Sequence, residues 1–183
     1  MSGRVLLGVT GSAAAFKGVA LASLLAKDGY EVDAVLTPAG ARFVGQAQLS
    51  SVTGRRTWTE MYGETGDHMP HITLSEGADI LVVAPATADI IARMACGLGD
   101  GLLPALALAF GGPVVVAPSM NSRMWQSMPT MENVSKLRGR GVIFAGPEEG
   151  RLACGTSGTG RMMEPEEIAD IVRRELGSPG GQG

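Results

Sequence analysis

The run Pro113-Val114-Val115-Val116-Ala117-Pro118-Ser119-Met120-Asn121-Ser122-Arg123-Met124-Trp125 carries a strand and, at its end, unusual chemistry. Its first half is apolar and β-branched without alternation. It therefore reads as a strand covered on both faces, as in a parallel sheet. Its second half is wrong for a plain turn, which would use Gly, Asp or Ser to reverse the chain. Instead an Asn lies between two Met, close to a Trp. Open α/β sheets gather their ligands at the carboxyl ends of the strands. An Asn there can donate to a carboxylate and accept from an amide at once.

Four other stretches have the same strand character: Val5 to Thr10, Glu31 to Thr37, Ile80 to Pro85, and Gly141 to Ala145. Helical stretches separate them. The first opens at Gly11-Ser12, carries Val19, Ala20, Leu21, Leu24 and Leu25 at helical spacing, and ends at Gly29. Further helices are expected from Pro38 to Gln46, Thr87 to Met94, Leu102 to Phe110 and Thr130 to Arg138. An amphipathic helix from Glu164 to Leu176 closes the series. Alternation of this kind predicts the α/β class: a single Rossmann-like (flavodoxin-like) three-layer sandwich around a parallel sheet. Residues 1–176 are expected to form one domain and residues 177–183 a flexible Gly/Pro tail.

Composition narrows the classes. The chain has 183 residues, 45% hydrophobic and 18% charged, enough for one sizeable core and against disorder. Net charge is −3 with no basic stripe, which argues against a nucleic-acid partner. No apolar stretch reaches membrane-spanning length without Gly, Pro or charge, and Met1-Ser2-Gly3-Arg4 leads straight into a strand. A cytoplasmic location and no membrane partner are expected. Cys96 and Cys154 have no metal-site or disulfide spacing, and Cys96 is expected to be packed. Of the ten Met, most read as core filler, whereas Met120 and Met124 flank Asn121 and belong with a ligand.

Several blocks end predicted strands. Thr10-Gly11-Ser12-Ala13-Ala14-Ala15-Phe16-Lys17 forms a small turn into a helix, a place where free N–H groups can meet a phosphate. It is neither a dinucleotide fingerprint nor a Walker loop, and an ordinary capped helix fits equally. Thr37 could contact a ligand or cap the segment at Pro38. Pro85-Ala86-Thr87-Ala88-Asp89 could cap a helix with Thr87 or leave room for a planar ring at Ala86 and Ala88. His71 could be structural or catalytic, while His68 sits in a Gly/Asp-rich loop and is expected to be solvated. Cys154 lies in a Gly/Ser/Thr-rich loop that could close over a ligand or be a plain connection. In a parallel sheet the carboxyl ends of the strands share one edge, so these weak signals converge.

Together the blocks resemble the homo-oligomeric flavin-containing cysteine decarboxylases, over nearly the whole chain from Arg4 to Leu176. Gly8 to Lys17 is similar to that family's flavin phosphate loop. His71 corresponds to its histidine before the third strand, and Pro85 to Asp89 is a variant of its P-A-S-A-N block. Pro118 to Trp125 fits P-x-M-N-x-x-M-W at every fixed position. Leu152-Ala153-Cys154-Gly155 with Gly158 to Met162 resembles the substrate clamp of phosphopantothenoylcysteine decarboxylases. A flavin prenyltransferase would share the fold but would not need the spacing of Met120-Asn121 and Met124-Trp125.

The resemblance implies FMN, held by Gly11, Ser12, Ala13, Thr37, Phe43, Pro85, Ala86, Thr87 and Met120 at a subunit contact of a homo-oligomer, trimers assembling to dodecamers. It implies His71 as base or proton relay, Asn121 and Met124 on the substrate carboxylate, and Cys154 with Gly155 in the clamp. The substrate implied is a cysteine with an acylated amine and a free carboxylate. Oxidation at its Cβ–S unit gives a thioaldehyde, and loss of CO₂ leaves an enethiolate; no metal is needed. The family then divides. Cys154 favours return of the electrons and a saturated thiol, the reaction on 4'-phosphopantothenoylcysteine in coenzyme A biosynthesis. Thr156, where the clamp usually has Asp, and an end at Gly183 without a fused synthetase tip the expectation to the C-terminal cysteine of a ribosomal precursor peptide, released as an enethiol.

Overall fold

The structure is a computed structural model describing residues 3–62, 69–151, 155 and 157–177. Six strands form one parallel sheet: β1 (Arg4–Val9), β2 (Glu31–Leu36), β3 (Thr57–Trp58), β4 (Ile80–Ala86), β5 (Val114–Pro118) and β6 (Ile143–Phe144). Their order is β3-β2-β1-β4-β5-β6. The chain winds outward from β1 to β3, crosses back, and winds outward again from β4. Between β1 and β4 the connections leave to opposite sides, which opens a crevice at the carboxyl edge.

The helices are α1 (Ala15–Lys27), α2 (Gln46–Thr53), α3 (Pro70–Glu76), α4 (Ala88–Cys96), α5 (Leu102–Ala109), α6 (Ser122–Trp125), α7 (Met128–Gly139) and α8 (Pro165–Leu176). Side chains alternate along each strand, so β1 sends Val5, Leu7 and Val9 to one core and Leu6 to the other. The first core is covered by α1, α2 and α8, through residues such as Leu21, Leu49 and Ile168. The second is covered by α3, α4, α5 and α7, through Leu74, Ile91, Leu103 and Leu137. Leu81 on β4 is fully buried, worth about 1.5–3 kcal/mol by its transfer from water. An Asp there would also bury a charge and break the sheet.

The three-layer α/β sandwich is the expected one, with local departures. The helix expected from Pro38 to Gln46 is only a 3₁₀ turn, Gly40–Arg42, followed by α2. Thr37 Oγ1 accepts from the Gly40 N–H at 3.0 Å and closes the tight turn, and extended Gly45 then separates it from α2. The stretch around His71 forms α3 with Pro70 in its first turn, where a missing N–H costs nothing. The strand expected from Gly141 to Ala145 pairs only over Ile143–Phe144, at the sheet's edge. Cys96 is exposed, not packed, because the buried stripe of α4 runs through Ile90, Ile91, Met94 and Ala95.

The clamp region contains an antiparallel pair, β7 (Glu148–Arg151) and β8 (Ser157–Arg161). Its Gly, Ser and Thr content hides it from a pattern search. His68, Cys154, Thr156 and the tail beyond Gly177 lie outside the described residues.

Candidate active site

Hydroxyl groups tie three strand ends together at the carboxyl edge. Buried Thr10, just past β1, donates from Oγ1 to the Pro85 carbonyl at 2.7 Å and accepts from the Thr87 N–H at 3.2 Å. That fastens β1 to β4. Ser12 Oγ and Ser119 Oγ share a hydrogen bond of 2.8 Å, which joins the turn before α1 to the end of β5. The Ser119 N–H donates to the Ala86 carbonyl at 2.9 Å, closing the set.

Ser12 also shapes the turn itself. Its N–H donates to the Thr10 carbonyl at 2.9 Å, and its Oγ accepts from the Ala14 N–H at 3.2 Å. Helix α1 then starts with no acidic residue in its first turn and no side chain capping it. Its N-terminal dipole end is therefore unopposed and suits an anion.

Two neighbouring cavities open on this edge. The first, about 580 Å³, is walled by Gly11 to Ala14, Phe16, Lys17, Ser119, Met120, Asn121 and the end of β8. The second, about 630 Å³, is walled by Thr37 to Ala39, Thr59, Arg93 and the start of α5. Gly11, Thr87, Ala88 and Met124 line both. Volumes of this size are those of small-molecule sites. Small residues at the shared wall leave space for a flat ring, and the bare start of α1 suits a phosphate, so the residues present fit FMN.

Asn121 caps α6, its Oδ1 accepting from the Arg123 N–H at 2.9 Å. The cap holds the side chain in the wall of the first cavity. Over it lies β8. The Met120 N–H donates to the Gly160 carbonyl at 3.0 Å. A Cβ on Gly160 would sit 2.3 Å from the Met120 carbonyl oxygen, and the backbone there has φ of +145°. A Cβ on Gly158 would meet Ser122 Oγ at 2.4 Å. Glycines at both places let the hairpin lie directly on the signature loop.

Other expected residues are placed differently. His71 is the second residue of α3 and lines neither cavity. Helix α3 packs on α5, whose first turn walls the second cavity. His71 Nδ1 is buried with no hydrogen-bond partner. Phe43 is 55% exposed and also lies off both walls. Pro85 and Ala86 are buried behind Thr87, which caps α4 by accepting from the Ile90 N–H. Thr37 both caps its turn and lines the second cavity. Gly155 is exposed with φ of +84°.

Four residues escape a sequence reading: Thr10, Lys17, Ser119 and Arg161. All four stand inside quoted motifs, yet nothing in those motifs says which atoms meet across the sheet. Arg161 reaches the cavity only because the hairpin folds back.

Among the described residues no group of three or more His, Cys, Asp and Glu could hold a metal ion, and no helix is long and apolar enough to cross a membrane.

Residues 2–177 match the Flavoprotein family. The chain belongs to that family. The Coenzyme A biosynthesis bifunctional protein CoaBC of Vibrio vulnificus (strain YJ016) is 41% identical over 172 residues, covering 93% of this chain and 43% of that protein. The chain thus spans less than half the length of the curated relatives it matches. A PPC decarboxylase cysteine-to-serine mutant complexed with pantothenoylaminoethenethiol superposes with a TM-score of 0.85 at 33% identity, covering 95% of this chain and 98% of the other. The FMN-dependent cysteine decarboxylase SpaF gives a TM-score of 0.81 at 29% identity, over 95% of each chain. This flavoprotein accordingly has the fold that the motifs lead one to expect, and the proteins it superposes on include FMN-dependent cysteine decarboxylases.

Proposed function

We propose that this flavoprotein decarboxylates 4'-phosphopantothenoylcysteine to 4'-phosphopantetheine. The supporting observation is the wall of the first cavity, where the Ser12–Ser119 pair joins the start of α1 to Asn121 and Met124. The relatives favour this substrate over the precursor peptide: the Vibrio protein is named for coenzyme A biosynthesis, and the PPC decarboxylase was solved with a pantothenoyl enethiol.

Gly11, Ser12 and Ala13 hold the FMN phosphate at the start of α1. Thr37, Thr87 and Met120, in the walls of the two cavities, would hold the rest of the cofactor. When bound, FMN supplies a reversible two-electron acceptor for the substrate's Cβ–S unit. Asn121 orients the carboxylate. Its oxygen caps α6, and of its two polar atoms only the amide nitrogen can donate to a carboxylate. Met124, between the two cavities, shields the carboxylate from water as CO₂ departs. His71 moves the proton of the substrate thiol or Cβ. Within one chain it stands off the cavity walls, so this role places the working site at a contact between copies, as the family resemblance implies. Phe43, exposed in one chain, is completed at the same contact. Cys154 returns the final proton from the clamp.

The test is a mass-spectrometric assay of the FMN-loaded protein against both substrate types. Phosphopantothenoylcysteine should lose CO₂ alone. A peptide ending in Cys that instead loses CO₂ and two hydrogens, with phosphopantothenoylcysteine untouched, overturns the reading.

A further inference from the structure

Lys17 and Arg161 stand together in the wall of the first cavity, one from α1 and one from the end of β8. They share one carboxylate. Lys17 Nζ donates to Glu164 Oε1 at 2.8 Å and to the Met162 carbonyl at 3.2 Å, and Arg161 Nη2 donates to the same Glu164 oxygen. Glu164 lies behind the wall, not in it, where its N–H donates to Glu167 Oε2 at 3.3 Å as the chain enters α8. Two cations therefore face the cavity against one carboxylate, and no Asp or Glu lines that wall among the described residues. The Arg161 side chain is also steered: a Cβ on Gly150, across the hairpin, would come within 2.8 Å of Arg161 Cδ and 3.2 Å of Nη1. The absent side chain leaves the guanidinium its course along β7 and back toward the cavity.

This arrangement departs from the charge of the chain as a whole, which is −3. A net positive cavity wall held by a rigid carboxylate is matched to a group with more than one negative charge. A phosphate monoester carries about −1.5 to −2 at neutral pH, and an Arg fork can take two of its oxygens. The proposed reaction brings two such groups, that of FMN and that of the substrate. The FMN phosphate has its place at the start of α1. Lys17 is the third residue of α1, beyond the turn of Gly11 to Ala13. Arg161 ends β8, the strand whose glycines lie on the signature loop.

We infer that Lys17 and Arg161 form a clamp for the terminal phosphate of the substrate, and so set the preference for a phosphorylated pantothenoyl conjugate over its dephosphorylated form or a peptide. The inference rests on the proposed substrate class. Arrival of the phosphate draws Arg161 from Glu164, which Lys17 continues to neutralise.

The experiment measures the affinity of the FMN-loaded protein for 4'-phosphopantetheine and for pantetheine, by titration of the bound flavin's absorbance. The unaltered protein should prefer the phosphorylated ligand by about tenfold to a hundredfold, the range of a charge-assisted contact. That ratio should fall toward one in Arg161→Gln and in Lys17→Gln, and recover in part in Arg161→Lys. FMN content should stay unchanged throughout. Should Arg161→Gln fail to fold, Lys17→Gln and the salt dependence of the ratio in the unaltered protein give the same reading, since added salt should erode it. Equal affinity for the two ligands overturns the clamp while leaving the proposed reaction intact if phosphopantothenoylcysteine still loses CO₂. Loss of FMN with the ratio retained assigns the cations to the flavin and overturns it too. Binding of neither ligand removes the substrate class, and the clamp with it.

Discussion

The two edges of the sheet are built from opposite materials. At the amino edge charges neutralise one another. Arg4 Nε bonds Asp33 Oδ2 at 2.7 Å, Arg55 Nε bonds Asp33 Oδ1 at 2.8 Å, and the Arg4 N–H bonds Asp79 Oδ2 at 2.7 Å. The Asp33 carboxylate is nearly buried, and its hydrogen bond raises the Arg55 pKa above its ordinary value, with burial opposing. At the carboxyl edge neutral hydroxyls do the joining: Thr10, Ser12, Thr37 and Ser119. These amino-edge ion pairs consume each other's valence and leave little for a ligand, unlike the two cations that share the one carboxylate of Glu164. Hydroxyls and backbone N–H groups keep donors to spare without a full charge, so they can line a site for an anionic cofactor. The first edge holds the frame, and the second is available for chemistry.

Changes at the two edges should therefore separate activity from stability. The largest effect is expected for Asn121→Ala and His71→Asn. Decarboxylation, followed as product mass, should fall about 10²- to 10⁴-fold with little change in Tm. If either variant keeps full activity, the roles given to the carboxyl edge are wrong. Gly160→Ala comes next, because its Cβ would strike the Met120 carbonyl at 2.3 Å. Chemical denaturation should show a loss of about 1–3 kcal/mol, together with easier proteolysis of the hairpin. Asp33→Asn at the amino edge should cost about 1–3 kcal/mol by leaving two guanidinium groups short of charge, and FMN affinity should not move. A changed flavin affinity in that variant would show that the edges are coupled.

Ser12→Ala should weaken FMN binding about tenfold and cost under about 1 kcal/mol of stability, measured by flavin titration and denaturation. The smallest effect concerns Glu164, whose pKa is held below the usual carboxylate value, first by its hydrogen bond from Lys17 and then by Arg161. A carboxylate with a lowered folded pKa adds stability above its unfolded value. That increment is lost as pH falls through the folded one. The Glu164 side chain is 37% exposed, so the loss on acidification below the ordinary carboxylate range should stay under about 1 kcal/mol. It should vanish in Glu164→Gln.

Much of this edge was legible in one dimension. Apolar runs such as Ile80 to Ala84 could only be central strands, and the phosphate turn and signature loop follow their strands directly. Weak local order was harder to read. The segment after Pro38 has side chains that fit a helix, whereas the Thr37 hydroxyl and the extended Gly45 backbone cut it short. The β7–β8 hairpin was invisible because glycines erase the alternation that marks a strand. His71 was recognisable as a candidate, but its absence from both cavity walls depends on how α3 lies against α5.

By itself the sequence determined the parallel sheet, its family and the motifs that end the strands, because hydrophobic period and motif spacing are local properties. Only the tertiary structure decided which motif faces which. The reversal of strand order between β1 and β4 brings Ser12 to Ser119, and the folded hairpin brings Arg161 to Lys17. Such meetings join residues more than a hundred positions apart, and no local preference encodes them.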